Sequence, residues 1–146
     1  MSAIGDRIDA SAEAGFTLLE TLVVVGVLAL ITALVFPDLR RAYAGLRLEA
    51  SRSELAADLR LARARAIRSG AGVGFEASED GREYSAGARD VRLPAALRLD
   101  AEPRSIAFGP DGESDGGRLV LTTDEGRSLA LRVQAPTGVV LVESAR

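Results

Sequence analysis

Residues 16–36 read FTLLETLVVVGVLALITALVF, a run of 21 residues that carries one charge, Glu20. As a helix this run rises about 31 Å, which matches the roughly 30 Å hydrocarbon core of a bilayer. No other feature restricts the fold of this chain as strongly. A cleaved secretory signal would need a basic start, an apolar stretch of about 7–15 residues and a small-residue cleavage site behind it. Here the stretch is longer, and the residues before it are polar and net acidic (Asp6, Arg7, Asp9, Glu13). A plain signal anchor accounts for the length but leaves Glu20 unexplained.

An ionised carboxylate costs about 2.5–3.5 kcal/mol at the centre of a spanning helix and less near the headgroups. Glu20 stands four residues into the run. Taken alone, its position fits an interfacial acid favoured by the helix dipole. It fits equally a carboxylate that awaits a cationic partner in an assembly. Gly26, Ala29 and Ala33 recur at spacings of three and four, and small residues on one face let helices approach closely in a membrane. Pro37 follows the run; it has no amide proton and its ring opposes the preceding turn, so a bend or short break is expected there.

Past Pro37, residues 38–69 contain one helix breaker, Gly45, and Leu55, Leu59, Ala62 and Ala66 form a stripe of helical period. Arg60, Arg63, Arg65 and Arg68 lie on other faces. Ser69-Gly70 supplies a stop with glycine in the terminating position. The remainder reads as short strands at 73–77, 104–108, 118–123, 128–134 and 139–143. They are separated by turn residues: Asp80-Gly81, Gly109-Pro110-Asp111-Gly112, Asp115-Gly116-Gly117, Asp124-Glu125-Gly126 and Pro136-Thr137-Gly138. The Asp124-Glu125-Gly126 turn predicts a hairpin, with Leu129, Leu131 and Val133 inward and Ser128 and Arg132 outward. An α+β domain follows, a long amino-terminal helix packed on an antiparallel sheet.

With 146 residues there is room for one ordinary domain. The net charge is −3, acids and arginines are interleaved, and lysine is absent. No broad nucleic-acid footprint is present, although Arg127 and Arg132 could form a local patch. Cysteine and histidine are absent as well, so neither a thiolate metal site nor the usual nucleophile–base pairs can be built. This argues against an enzyme, and no cofactor or metal is implied. Asp111, Glu113 and Asp115 alternate as in a calcium loop. An EF-hand needs a bidentate glutamate at loop position twelve, and that position is Thr122. A solvated acidic turn is the expected reading.

Gly15-Phe16-Thr17-Leu18-Leu19-Glu20, with a short polar leader before it and an apolar helix after it, resembles the class III signal of type IV prepilins and type II secretion pseudopilins. The resemblance implies cleavage between Gly15 and Phe16 by a prepilin peptidase and N-methylation of Phe16. It also implies a salt bridge from Glu20 to the terminal amine of a neighbouring subunit. Pro37 falls where such proteins often carry a helix-bending proline. The leader here is net acidic, whereas the family's is commonly basic.

Residues 61–67 followed by Gly72-Val73-Gly74-Phe75 resemble the helix-to-strand passage of the GspH/FimT group. Phe108-Gly109-Pro110-Asp111-Gly112 is similar to that group's F-x-P-x-G turn, and Pro136-Thr137-Gly138-Val139-Val140 to its closing strand. The implied organisation is a leader (1–15), a transmembrane helix (16–37), the amphipathic half of the long helix (38–70) and a β-rich periplasmic part (71–146). The implied function is that of a minor pseudopilin of type II secretion, at or near the filament tip. It would be anchored in the bacterial inner membrane by a single pass, with other minor and major pseudopilins as partners. The alternative is a FimT-like minor type IV pilin, some of which bind DNA through arginines in a C-terminal glycine-arginine motif. The corresponding stretch here, Thr137-Gly138-Val139-Val140-Leu141, has no arginine after its glycine. Phosphate neutralisation dominates DNA affinity, so this departure disfavours nucleic acid.

Overall fold

The computed structural model describes residues 17–143, with backbone only for 37–41. Gly15 and Phe16 therefore lie outside the described residues. The chain divides into two compact units, Met1–Arg40 and Arg41–Arg146. Among the described residues one helix, α1 (Leu18–Ser69), is followed by eight strands.

Thr17 starts α1. Its Oγ1 accepts the Glu20 amide proton at 3.2 Å, an N-cap bond that satisfies one otherwise orphaned donor, and its carbonyl accepts that of Thr21 at 3.1 Å as the first regular bond of the helix. Helical assignment continues through Pro37, so the short break allowed for there does not occur. Pro37 still has no amide proton to give the Ala33 carbonyl. The helix ends at Ser69, and Gly70 takes φ 64°, a left-handed value that costs glycine little.

Two four-stranded antiparallel sheets stand where a single sheet was expected. β1 (Val73–Ala77), β2 (Glu83–Ala86), β3 (Arg89–Arg92) and β5 (Ser105–Phe108) form the first, in the order β3-β2-β1-β5. β4 (Leu97–Glu102), β6 (Gly117–Thr123), β7 (Ser128–Gln134) and β8 (Val139–Glu143) form the second, in the order β4-β6-β7-β8. The five expected strands are present within a residue of their expected limits. β2, β3 and β4 were not anticipated. β4 buries Leu97, Leu99 and Ala101 between exposed Arg98, Asp100 and Glu102, so its alternation was legible but diluted by charge. β3 carries three charges in four residues, a composition that an edge strand tolerates.

The hairpin over residues 124–126 pairs Leu121 with Leu129 and Thr122 with Ser128. Leu131 and Val133 are buried, Leu129 packs on the core half-buried, and Ser128 and Arg132 are exposed, as the alternation predicts. Ala130 departs from that alternation: it is buried on the outer face, and its small side chain is flanked across the strands by Val120 and Glu143.

Leu48, Leu55, Leu59, Ala62 and Ala66 of α1 join Phe75, Ile106 and Phe108 from the first sheet and Leu119, Leu121, Leu131 and Val133 from the second in one core. A buried polar bridge ties the helix to the first sheet. Asp58, 3% exposed, accepts hydrogen bonds from the Tyr84 hydroxyl (2.8 Å) and the Arg89 guanidinium (2.6 Å). Arg89 also pairs with Glu54 at 2.6 Å. Burial, reinforced by the Asp58 bond, pushes the Tyr84 phenol far above its ordinary value.

A second tie closes the opposite part of the domain. Arg63 Nε donates to the Gly112 carbonyl at 2.9 Å, and Gly138, at φ 66°, lies so close that a Cβ there would overlap that same oxygen. Gly138→Ala therefore incurs both left-handed strain and a backbone clash. Thermal denaturation of the variant should show a loss of about 2 kcal/mol or more.

Candidate assembly surface

The first element of the surface is the apolar part of α1. Leu18–Phe36 has a mean hydropathy of 2.6 and none of it is buried. Among the described residues nothing covers Leu22, Val25, Leu30 or Leu34, and a bilayer or neighbouring helices would remove this surface from water. Glu20 sits at its start, in the first helical turn. Among the described residues no cation pairs with it. Phe16 and Gly15 precede it outside the described residues, so the expected Glu20–Phe16 pairing and the cleavage position have no geometry here. Gly26, Ala29 and Ala33 are all exposed on the helix.

The second element went unnoticed in the sequence. In the folded unit, α1 buries one face, and the opposite face carries Tyr43, Leu46, Ala50, Ser53, Ala57, Leu61 and Ala64, none of them charged and all exposed. A solvent-facing helix ordinarily puts its charges at that midline. Here they flank it, with Arg47 and Glu54 on one side and Glu49 and Arg60 on the other. Arg47 stacks over the Tyr43 ring at 4.7 Å and donates to its hydroxyl at 2.9 Å. The signal was available as a second three–four periodicity of small and apolar residues, out of phase with the core stripe.

The arginines considered as a phosphate patch are otherwise engaged. Arg127, at the β6–β7 turn, lies against the helix backbone, where a Cβ on Gly45 would meet its guanidinium at 2.7 Å. Arg132 Nε pairs with Glu143 at 2.5 Å, and Arg118 Nε reaches the same carboxylate at 3.0 Å. These two arginines hold the Glu143 carboxyl below its ordinary range. In the acidic turn, Asp115 Oδ1 accepts the Ala107 amide proton at 3.0 Å and the Ser114 hydroxyl at 3.4 Å. It thereby closes the edge of β5. Among the described residues no group of histidine, cysteine or acidic side chains could hold a metal ion.

Residues 52–138 match the family described as Type II transport protein GspH. A curated relative, Type II secretion system protein H of Xanthomonas campestris pv. campestris, is 33% identical over 124 residues, covering 77% of this chain and 73% of that one. Among solved structures, the minor pseudopilin EpsH from the Type 2 Secretion System of Vibrio cholerae aligns with a TM-score of 0.59 at 18% identity, over 67% of this chain and 97% of that one. The type IV minor pilin FimU of Pseudomonas aeruginosa aligns with a TM-score of 0.58, also at 18% identity, over 66% of this chain and 88% of that one. At that identity the two structures show the fold alone, and both secretion and pilus systems use it.

Proposed function

The chain belongs to the GspH family of type II transport proteins, and on that premise we propose that it is a minor pseudopilin, a structural subunit of the filament that drives type II secretion. The observation that carries this reading is α1 itself: an uncovered apolar half, followed by a half whose outward midline is uncharged. A helix with that surface fits packing against other helices along much of its length. Anchoring in the inner membrane with residues 71–146 in the periplasm, and a place at or near the filament tip, belong to the same proposal. So do the peptidase that cleaves the leader and the bend at Pro37.

The proposed role is mechanical rather than catalytic. Leader removal between Gly15 and Phe16 creates an α-amino cation on Phe16 and makes Glu20 the fifth residue of the mature chain. A carboxylate near the headgroups gains a charge partner only when a second subunit brings its own amine alongside. Assembly is thereby favoured over the isolated subunit. The intact mass of the chain recovered from membranes should correspond to residues 16–146 plus one methyl group; the full-length mass would refute the cleavage assignment.

Deleting the gene tests the reading as a whole. Loss of exoproteins from the culture supernatant, with twitching and natural transformation intact, supports type II secretion. Normal secretion with lost DNA uptake or motility would move the protein to the type IV pilus. The engagement of Arg118, Arg127 and Arg132 with other groups favours a protein partner over a nucleic acid.

A further inference from the structure

We propose that Tyr43 and Arg47 bind the phosphate of an anionic phospholipid at the membrane surface. The inference rests on the membrane anchoring proposed above and adds a ligand to it, one met while the subunit is still held in the bilayer.

Arginine is distributed unevenly about the apolar run. Among residues 1–15 Arg7 is the only basic residue, whereas Arg40, Arg41 and Arg47 all follow Phe36 within eleven residues. Basic residues beside a spanning helix ordinarily concentrate on its cytoplasmic side, and the proposed topology puts these three on the other. Arginines kept against that rule need a local reason. The helix dipole does not supply it, because residues 40–47 stand in the interior of α1, far from its last turn.

An ion pair within the protein does not supply it for Arg47 either. Arg47 is exposed, and among the described residues no carboxylate pairs with it. Glu49 and Glu54, the acids that follow, are held by Arg52 and Arg89. The β6–β7 turn reaches the helix at Gly45 through Arg127, two residues and hence about 200° around the helix from Arg47. Neither Asp124 nor Glu125 of that turn pairs with Arg47. Between Phe36 and Glu49 the sequence holds three arginines and one acid, Asp38.

The geometry carries the free charge towards the apolar run. Side chains on a helix lean towards its N-terminus. The Arg47 guanidinium does so, lying over the Tyr43 ring at 4.7 Å and donating through Nη2 to its hydroxyl at 2.9 Å. Tyr43 is seven residues past Phe36, about 10 Å of helix, and the headgroup layer is about 5–7 Å deep on each side of the hydrocarbon. Long side chains with polar tips cover that difference. Tyr43 is 57% exposed, and an apolar ring with a wet hydroxyl suits this depth.

The donors fit a phosphodiester. One of the five N–H groups of Arg47 goes to Tyr43, and the others remain for phosphate oxygens. The Tyr43 hydroxyl accepts from Arg47 and keeps its own proton to donate. A zwitterionic lipid offers the same phosphate, but its amine meets the same arginines, so a lipid with an uncompensated phosphate is favoured. A carboxylate on another subunit is the competing occupant. Lipid is preferred because the chain itself keeps these residues beside the apolar run, where phosphate is present before any partner arrives.

The chain has no tryptophan, so Tyr43→Trp introduces a single reporter that keeps an aromatic face for Arg47. The full-length variant is reconstituted in phosphatidylcholine vesicles that hold a small fraction of one lipid spin-labelled just below its headgroup, either phosphatidylglycerol or phosphatidylcholine. At equal label fraction the phosphatidylglycerol should quench the tryptophan at least twofold more strongly. That excess should shrink towards parity as salt rises to about 0.5 M, and Arg47→Gln should at least halve it. Arg92→Gln, which removes a charge from β3, should leave it unchanged. Equal quenching by the two lipids overturns the lipid site and assigns Arg47 to a protein partner. An excess that survives Arg47→Gln, or no quenching of a chain that floats with the vesicles, overturns the site while the anchor stands. A chain that does not float with the vesicles overturns the anchoring, and this proposal with it.

Discussion

Glu20→Ala should reduce the share of this subunit recovered in sheared filaments at least tenfold while leaving leader cleavage intact. The size of the effect separates the two roles open to this carboxylate. The hydrogen bond at the helix start comes from the Glu20 backbone amide to Thr17, and alanine preserves it. A merely local acid would then contribute only its helix-dipole interaction, about 0.3–1 kcal/mol, which is a factor of five or less. An acid paired with a neighbour's terminal amine contributes more, because each ion left alone near lipid is costly. The variant should also be held in the membrane at least as firmly as the wild type, since an apolar residue replaces a charged one. Quantitative blotting of filament and membrane fractions reads both quantities, and normal incorporation would sink the pairing.

The second large effect lies in the folded domain. Asp58→Ala should destabilise it by about 2–3 kcal/mol, because it strands the buried Tyr84 hydroxyl and removes the inner partner of Arg89. For a domain of about this size, that corresponds to a fall in Tm of roughly 8–12 °C. The figure stays below that for a fully buried ion pair because the Arg89 side chain is 47% exposed and keeps Glu54. Asp58→Asn retains an acceptor for Tyr84 and should lose less. The same bond predicts an alkaline limit. The Tyr84 phenol is raised above the unfolded value of about 10, so its stabilising contribution is complete below that pH and is lost as pH climbs towards the folded value. Tyr84→Phe should flatten the alkaline limb of a stability–pH profile, and an unchanged limb would remove Tyr84 from the account.

The ties that place the helix on the sheets were hidden in the sequence for a definable reason. Asp58 and Arg89 lie 31 residues apart, and nothing local marks either as partnered. Asp58 looks like one more polar residue of an amphipathic helix. Arg89 falls in a charged tetrapeptide that reads as a loop until β2 lies beside it. Gly138 was recognised as part of a closing motif and as a turn glycine, but its contact with the Gly112 carbonyl depends on bringing two distant turns together. The outward stripe from Tyr43 to Ala64 was present in the spacing all along. It was passed over because a second apolar periodicity acquires meaning only when the first is known to be buried.

What the sequence determined by itself is whatever local chemistry decides. A long apolar run with a single charge dictates a helix fit for a bilayer, and Ser69-Gly70 ends that helix because only glycine takes φ 64° cheaply. Strands with clear apolar alternation, such as β7, declare themselves together with their inward face. Tertiary structure alone decided that there are two sheets and not one, that charged β3 and β4 are strands, and which face of α1 is left for a partner. It also decided that β8 pairs with β7 alone among the described residues, whereas β4 and β5 make further backbone contacts at their outer edges. Those outcomes depend on which distant segments supply hydrogen bonds and cover apolar surface, and no short window of residues contains that information.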